Sequence, residues 1–243
     1  MRTKTLILAA VAAFGVGIFT SQAAVTSANV VGYANVVVPN GGTYLVSVPF
    51  NVGVSNGANE IWPGTSLPDF SSVLVWNSQT FSYTTYYSDS GSPSGWDDIN
   101  FNPLSGAPTL PVGQGFFLIP SANVTNTFTG SVAVNVGTSN QMFLANGGTY
   151  LVSSVVPYAG SVTNGNNSSG GLNLSSAGGL PDFSSILIWD PNTFSYTTYY
   201  SDSGSPSGWD DINFNPLPAP PTVNVGQGFF LIPAGDFNWT VGL

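Results

Sequence analysis

The chain has 243 residues, of which 2 are Lys or Arg and 11 are Asp or Glu, and it contains neither His nor Cys. Charged residues make up 5% of the chain, whereas roughly 25% is usual for a soluble domain. Phosphate recognition needs Lys and Arg, so this composition excludes nucleic-acid binding. It also excludes catalysis that depends on an imidazole or a thiolate.

The first 23 residues have the pattern of a Sec-type export signal. Arg2 and Lys4 supply a positive start, residues 5–19 are apolar, and Ser21-Gln22-Ala23 fits a small-x-small cleavage site. We therefore predict a signal helix over residues 1–23 and a secreted protein that ends outside the cell, at its surface or in the periplasm. After cleavage no basic side chain is left, so we expect no nucleic-acid partner and no membrane insertion.

The rest of the chain contains one module twice, with its blocks in the same order. The clearest matches are residues 40–47 with 146–153, residues 80–104 with 193–217, and residues 112–120 with 225–233. The match between residues 80–104 and 193–217 has no change at any position. Such self-similarity is typical of an internal duplication. We predict two domains, residues 24–131 (the first repeat) and residues 132–243 (the second repeat).

Apolar residues within each repeat alternate as in half-buried strands, and no window after residue 23 has helical spacing. Alternation over residues 36–48 predicts a hairpin with its turn at residues 39–42, and residues 73–86 predict another. Gly113-Gln114-Gly115 predicts a tight turn into a buried strand. Short strands with frequent turn signals predict an all-β chain of two tandem antiparallel β-sandwich modules that follow the N-terminal signal helix.

A resemblance rests on the order of motifs along the chain. They are V-G-Y, G-x-Y-L-x-x-x-P, a strand that ends in Trp, a Tyr-rich strand, Gly-Trp-Asp and V-G-Q-G-F-F. This order resembles the secreted β-modules of environmental Gram-negative bacteria, which have no assigned activity. The resemblance implies an exported all-β protein, and it supplies no catalytic residues.

The candidate functional residues lie in a Tyr/Trp/Asp segment, residues 83–100, and in its copy, residues 196–213. Three interpretations stay open. In the first, the Asp and Ser side chains close turns and Trp96 covers the end of the core. In the second, side-chain oxygens bind Ca²⁺, and the candidates are Asp89, Asp97, Asp98, Asn100, Asp202, Asp210, Asp211 and Asn213. In the third, exposed aromatic faces stack on sugar rings, and the candidates are Tyr83, Tyr86, Trp96, Tyr196, Tyr199 and Trp209.

These patterns predict a non-catalytic extracellular structural or adhesion protein with weak carbohydrate or calcium binding. Its expected partners are polysaccharide or cell-surface components. A self-assembling fibre or envelope-layer subunit is the alternative, because no Lys protects the edge strands against self-association. A two-lobed aspartic protease is a further alternative, since Asp89-Ser90-Gly91 and Asp202-Ser203-Gly204 place one D-S-G triplet in each repeat. That chemistry needs two facing Asp carboxylates that share a proton.

Overall fold

A computed structural model describes residues 31–64, 66–134, 139–165 and 171–242, and the predicted signal helix lies outside these ranges. The described chain is all-β, as its alternating pattern predicts, with antiparallel sheets and two short helical turns. Within those residues no helix is both long and apolar enough to cross a membrane.

The first repeat forms one two-stranded and one five-stranded sheet. The two-stranded sheet pairs β1 (Val31–Val38) with β7 (Val124–Ser131). The five-stranded sheet contains, in spatial order, β2 (Tyr44–Ser47), β6 (Gly115–Ile119), β3 (Ser72–Asn77), β4 (Ser82–Ser88) and β5 (Trp96–Asp97). A short helix, α1 (Ala58–Ile61), lies between β2 and β3 in the sequence.

The second repeat forms the same two sheets in the same arrangement. Its two-stranded sheet pairs β8 (Ser139–Leu144) with β16 (Phe237–Gly242). Its five-stranded sheet contains β9 (Tyr150–Val152), β15 (Phe229–Ile232), β11 (Ser185–Asp190), β12 (Ser195–Ser201) and β13 (Trp209–Asp210). A 3₁₀ turn (Ser176–Gly178) replaces α1, and a further ribbon pairs β10 (Gly160–Ser161) with β14 (Thr222–Val223).

The strand pairing confirms one of the two hairpins predicted from the sequence and contradicts the other. The second is confirmed, because β3 pairs with β4 from Ser72 opposite Tyr87 to Asn77 opposite Ser82. The first is wrong, because β1 pairs with β7 and β2 pairs with β6. Alternation identifies the buried face of a strand, but it does not identify the partner, which here comes from about ninety residues away in the sequence.

The five-stranded sheets pack against each other through one face, and we call this contact the seam. Along β6, Phe116 and Leu118 enter the main core, while Phe117 points to the seam. Along β15, Phe230 points to the seam in the same way. Since successive side chains of a strand face opposite ways, the run F-F-L-I in each repeat fills both cores.

Contacts across the seam follow an approximate two-fold symmetry. Trp76 Nε1 donates a hydrogen bond to Thr149 O at 2.7 Å, and Trp189 Nε1 donates to Thr43 O at 2.6 Å. The Trp76 ring also packs edge-on against Phe230, with centroids 5.5 Å apart. Each repeat thus inserts one tryptophan against the other.

Gly115 and Gly228 lie where the two five-stranded sheets approach each other closely. A Cβ on Gly228 would lie 3.2 Å from Gly115 Cα and 3.2 Å from Val46 O. A Cβ on Gly115 would lie 3.1 Å from Leu151 Cγ. The second Gly of V-G-Q-G is therefore needed for close approach of the backbones.

Candidate functional site

The two tryptophans of the predicted segment are core residues. Trp96 is 2% exposed and packs against Trp62 with centroids 6.0 Å apart, and Trp209 is 0% exposed. Neither ring presents a face to solvent, so the expectation that they are exposed for sugar stacking is wrong. The G-W-D motif places each Trp on a two-residue strand that covers the end of the core.

The candidate tyrosines are divided between the two faces of their sheets. Tyr86 and Tyr199 are half-buried against the main core. Tyr83 packs edge-on against Phe117, and Tyr196 is its counterpart in the second repeat. Burial at the seam raises the pKa of the Tyr83 and Tyr196 hydroxyls, which also interact with each other. All four rings are therefore used in packing, although Tyr83 keeps 38% of its surface exposed.

The adjacent residues Asp97 and Asp98 have different hydrogen-bond partners. Asp97 is buried and accepts a hydrogen bond from the Ser92 hydroxyl, and Asp210 and Ser205 repeat this pair. Asp98 instead accepts from the backbone N–H groups of its own loop. Asp97, the last residue of β5, is thus turned to the Ser92 hydroxyl, while Asp98 is turned to the loop that follows the strand.

The Asp98 carboxylate closes the loop that follows β5. Its Oδ1 accepts from Asn100 N at 2.8 Å and from Asn102 N at 2.9 Å. The second repeat has the same loop, in which Asp211 accepts from Asn213 N and Asn215 N. The backbone N–H of Asn102 is the largest cause that lowers the pKa of Asp98, and that of Asn215 acts likewise on Asp211.

Asp89 also closes a turn of its own. Its Oδ1 accepts from Gly91 N at 2.8 Å, and Asp202 accepts from Gly204 N at the same distance. Across the described residues, no group of three or more acidic side chains is close enough to hold a metal ion. Asp89, Asp97 and Asp98 therefore form no cluster of three carboxylates, and the Oδ1 atoms of Asp89 and Asp98 are used in turns, as the first interpretation expects. Ca²⁺ binding by these residues stays a prediction. A small cleft beside Asp89 is lined only by residues of the first repeat, so the two D-S-G aspartates do not face each other there.

An exposed aromatic surface on each repeat is the feature that sequence reasoning missed. Phe70 and Phe101 are largely exposed and have φ of 64° and 59°, in the left-handed region. Phe183 and Phe214 repeat this with φ of 65° and 59°. Such a conformation costs a non-glycine residue about 1–3 kcal/mol and is found mainly where the surroundings impose it. We name Phe70, Tyr87 and Phe101 the first aromatic platform, and Phe183, Tyr200 and Phe214 the second.

The rings of the platforms are ordered by their neighbours. Phe101 stacks on Tyr87 with centroids 4.7 Å apart and an interplanar angle of 18°. Phe214 stacks on Tyr200 at 4.8 Å and 21°. Because the Asp98 and Asp211 loops fix the backbone at these phenylalanines, 57% of Phe101 and 55% of Phe214 stay exposed. A signal was available in the sequence, since each Phe stands between turn-forming residues, as in Asn100-Phe101-Asn102.

No protein-family model, no curated protein and no solved structure matches this chain. The function is accordingly argued from the geometry of these surfaces.

Proposed function

We propose that this protein is an exported, non-catalytic adhesion protein that binds neutral polysaccharide surfaces weakly through its two aromatic platforms. The observation that carries this proposal is the pair of exposed rings, Phe101 and Phe214, held outward by a left-handed backbone. Burial of such rings normally stabilises a fold. Two copies of a strained and exposed arrangement favour a role in binding.

The charge of the chain supports a neutral partner. With a net charge of −9, the protein repels anionic polymers and anionic lipid surfaces. The carboxylates next to the platforms accept hydrogen bonds from their own loops, as Asp98 and Asp211 do. Flat aromatic faces without competing charge suit the apolar faces of neutral sugar rings. Export is supported by the pattern of residues 1–23.

Duplication supports adhesion more than it supports catalysis. Two weak sites on one rigid body that engage one repetitive surface gain avidity through effective concentration. The four D-S-G and G-W-D aspartates, two in each repeat, are used in turns or in the pairs with Ser92 and Ser205. The proposal therefore includes no enzymatic step.

The test is a sedimentation assay of the chain without residues 1–23 on insoluble cellulose and chitin. Phe101→Asn with Phe214→Asn should weaken retention about tenfold or more, because both stacked rings are lost. Stacking of a ring on an aromatic side chain is worth about 1–3 kcal/mol. Each single variant should retain an intermediate affinity, as avidity requires.

A matched control exists in the same chain. Phe81 and Phe194 are also exposed and have positive φ, but they lie beside Trp76 and Trp189 and outside the platforms. Phe81→Asn with Phe194→Asn should leave retention unchanged. Equal losses in the two double variants, or no loss in either, would contradict the proposal.

Self-assembly is a second candidate, because the same exposed rings can pack against another copy. Analytical ultracentrifugation separates the two functions. A chain that stays monomeric at high concentration and still sediments with polysaccharide supports adhesion. Polymers that dissociate in the Phe101→Asn, Phe214→Asn variant favour the fibre alternative.

A further inference from the structure

Two grooves open where the two repeats meet at the seam, with volumes of about 250 and 200 Å³. Both are composite, because one repeat supplies the tryptophan and the V-G-Q turn while the other supplies the Tyr-Leu-Val strand. The first groove is lined chiefly by Trp76, Val112, Gln114, Tyr150, Leu151 and Val152. The second is lined by the equivalent residues Trp189, Val225, Gln227, Tyr44, Leu45 and Val46.

Neither groove has a charged residue in its lining, in a chain whose charged side chains after residue 4 are all acidic. The lining instead combines aromatic rings with carboxamides, that of Gln114 in the first groove and those of Gln227 and Asn224 in the second. This combination of apolar walls and a few polar groups is typical of a small-molecule site. It excludes an ionic ligand as the favoured occupant, because no charged group is present to compensate its desolvation.

The aromatic walls are held in place before any ligand arrives. Trp76 is fixed by its hydrogen bond to Thr149 O and by edge-on contacts with Tyr83 and Phe230. The Tyr150 hydroxyl accepts a hydrogen bond from Ala145 N at 2.8 Å. A preorganised wall loses little side-chain entropy on binding.

We propose that each seam groove binds one ring of a neutral saccharide. The volumes lie below the roughly 300–1,000 Å³ of pockets that hold drug-sized ligands, so the grooves suit one ring or the end of a chain. The indole and phenol rings contact the C–H faces of the sugar, and the glutamine carboxamide pairs with its hydroxyl groups. This site is separate from the aromatic platforms and does not depend on the proposed adhesion.

One difference predicts unequal affinities. Gln227 Oε1 accepts hydrogen bonds from Asn224 N at 2.9 Å and Asn224 Nδ2 at 3.2 Å, so its amide nitrogen is left for a ligand. In the first groove Pro111 stands in the place of Asn224 and provides no such donor. Among the described residues the Gln114 carboxamide has no internal partner, so its oxygen and its nitrogen both serve a ligand. The first groove should bind more tightly.

The experiment titrates the chain without residues 1–23 with methyl glycosides of glucose, galactose, mannose and N-acetylglucosamine, observed by NMR. We expect two sites for at least one glycoside. Ser78→Trp, at the rim of the first groove, should remove one site, and Pro191→Trp, at the rim of the second, should remove the other. Gln114→Ala should weaken the first site about tenfold, because it removes the free carboxamide.

Gln79→Trp is the control, since Gln79 lies in the same turn as Ser78 but does not line the groove. It should leave both sites intact. Retention of both sites in the Ser78→Trp, Pro191→Trp variant, with an unchanged unfolding midpoint, overturns the proposal. So does the absence of binding for all four glycosides. The Phe101→Asn, Phe214→Asn variant should keep the two groove sites, identified as those that Ser78→Trp and Pro191→Trp remove, so failure of platform adhesion and failure of the grooves are distinguishable.

Discussion

The two copies of the unchanged segment, residues 80–104 and 193–217, fold identically but do not satisfy the same hydrogen bonds. In the first repeat, Trp96 Nε1 donates to Asn59 Oδ1 at 2.7 Å. In the second, Trp209 Nε1 is buried and has no hydrogen-bond partner in the described part of the chain. The difference arises outside the segment, because α1 carries Asn59 and the second repeat has a 3₁₀ turn instead.

The loops around these helical turns have diverged in how they are stabilised. In the first repeat Glu60 accepts from the backbone N–H groups of Gly57, Val54 and Ser55, which lower its pKa. In the second repeat Ser175 caps the 3₁₀ turn by accepting from Gly178 N. The unchanged segment thus specifies the strands and turns. The loops that differ between the repeats decide whether the buried indole N–H of Trp96 or Trp209 has a hydrogen-bond acceptor.

The largest expected effect tests whether the repeats are equivalent at the seam. Phe117→Ala and Phe230→Ala should each lower the free energy of unfolding by about 3–5 kcal/mol, because each removes a buried aromatic ring. The two losses should agree, since both residues are 6% exposed and contact the tryptophan of the other repeat. Denaturant unfolding measures both, and a difference above about 1 kcal/mol would show that the seam is asymmetric.

A smaller effect should separate the two tryptophans. Trp96→Phe and Trp209→Phe lose similar packing, but only the first breaks a hydrogen bond, the one from Trp96 Nε1 to Asn59 Oδ1. We expect Trp96→Phe to cost about 1–2 kcal/mol more than Trp209→Phe in the free energy of unfolding. Asn59→Ala is the control. The part of its cost that comes from the Trp96 hydrogen bond should vanish in combination with Trp96→Phe, while the part from the bond of Asn59 Nδ2 to Ser94 O remains. Equal costs for the two tryptophan variants would mean that the Asn59 hydrogen bond contributes no net stability.

Substitutions in the aromatic platforms should increase the stability of the fold. Phe101→Asn and Phe214→Asn should each raise the free energy of unfolding by about 0.5–1 kcal/mol, because Asn adopts the left-handed region more readily than Phe. Loss of the stacking contact with Tyr87 or Tyr200 offsets part of the gain. Thermal unfolding checks the sign, and destabilisation in both repeats would show that the stacked ring stabilises the fold.

The smallest expected effect is a loss of folding stability at acid pH, which both repeats should show. Asp98 and Asp211 have lowered pKa values in the folded chain, so their contribution is present above the unfolded value of about 3.9. It is lost as the pH falls through the folded pKa. The effect is small because both carboxylates are exposed. Asp98→Asn with Asp211→Asn should flatten the pH dependence of stability below pH 4, and an unchanged slope would assign that dependence to other carboxylates.

Much of the fold follows from local patterns. The alternation of residues 73–86 and the turn between them suffice for the hairpin of β3 and β4, because both partners are close in sequence. The pairing of β1 with β7 brings residues 31–38 to residues 124–131, and no local signal identifies such a partner. The run F-F-L-I is apolar at every position and indicates burial on both faces, but it does not reveal that the second face meets the other repeat.

Prediction of the candidate site was less successful for a physical reason. Trp96 and Asp97 look like binding residues in a polar segment, yet the core needs the ring, and the Ser92 hydroxyl pairs with the carboxylate. Phe101 looks like a core residue, but its backbone is fixed by the Asp98 loop, which turns the ring outward. The sugar-stacking interpretation thus placed Trp96 on the wrong side of the surface, whereas the turn interpretation placed it correctly over the end of the core. No prediction was made for Phe101, because its direction is decided by backbone conformation and not by residue type.

The crossed tryptophan contacts have a consequence for how the chain melts. Trp76 of the first repeat donates a hydrogen bond to Thr149, and Trp189 of the second donates one to Thr43. Unfolding of either repeat therefore removes the packing partner of the other. A duplicated chain with independent halves would show two transitions, one for each half. The two repeats should instead unfold in a single cooperative transition. The repeat with the less stable loops then limits the stability of the whole chain.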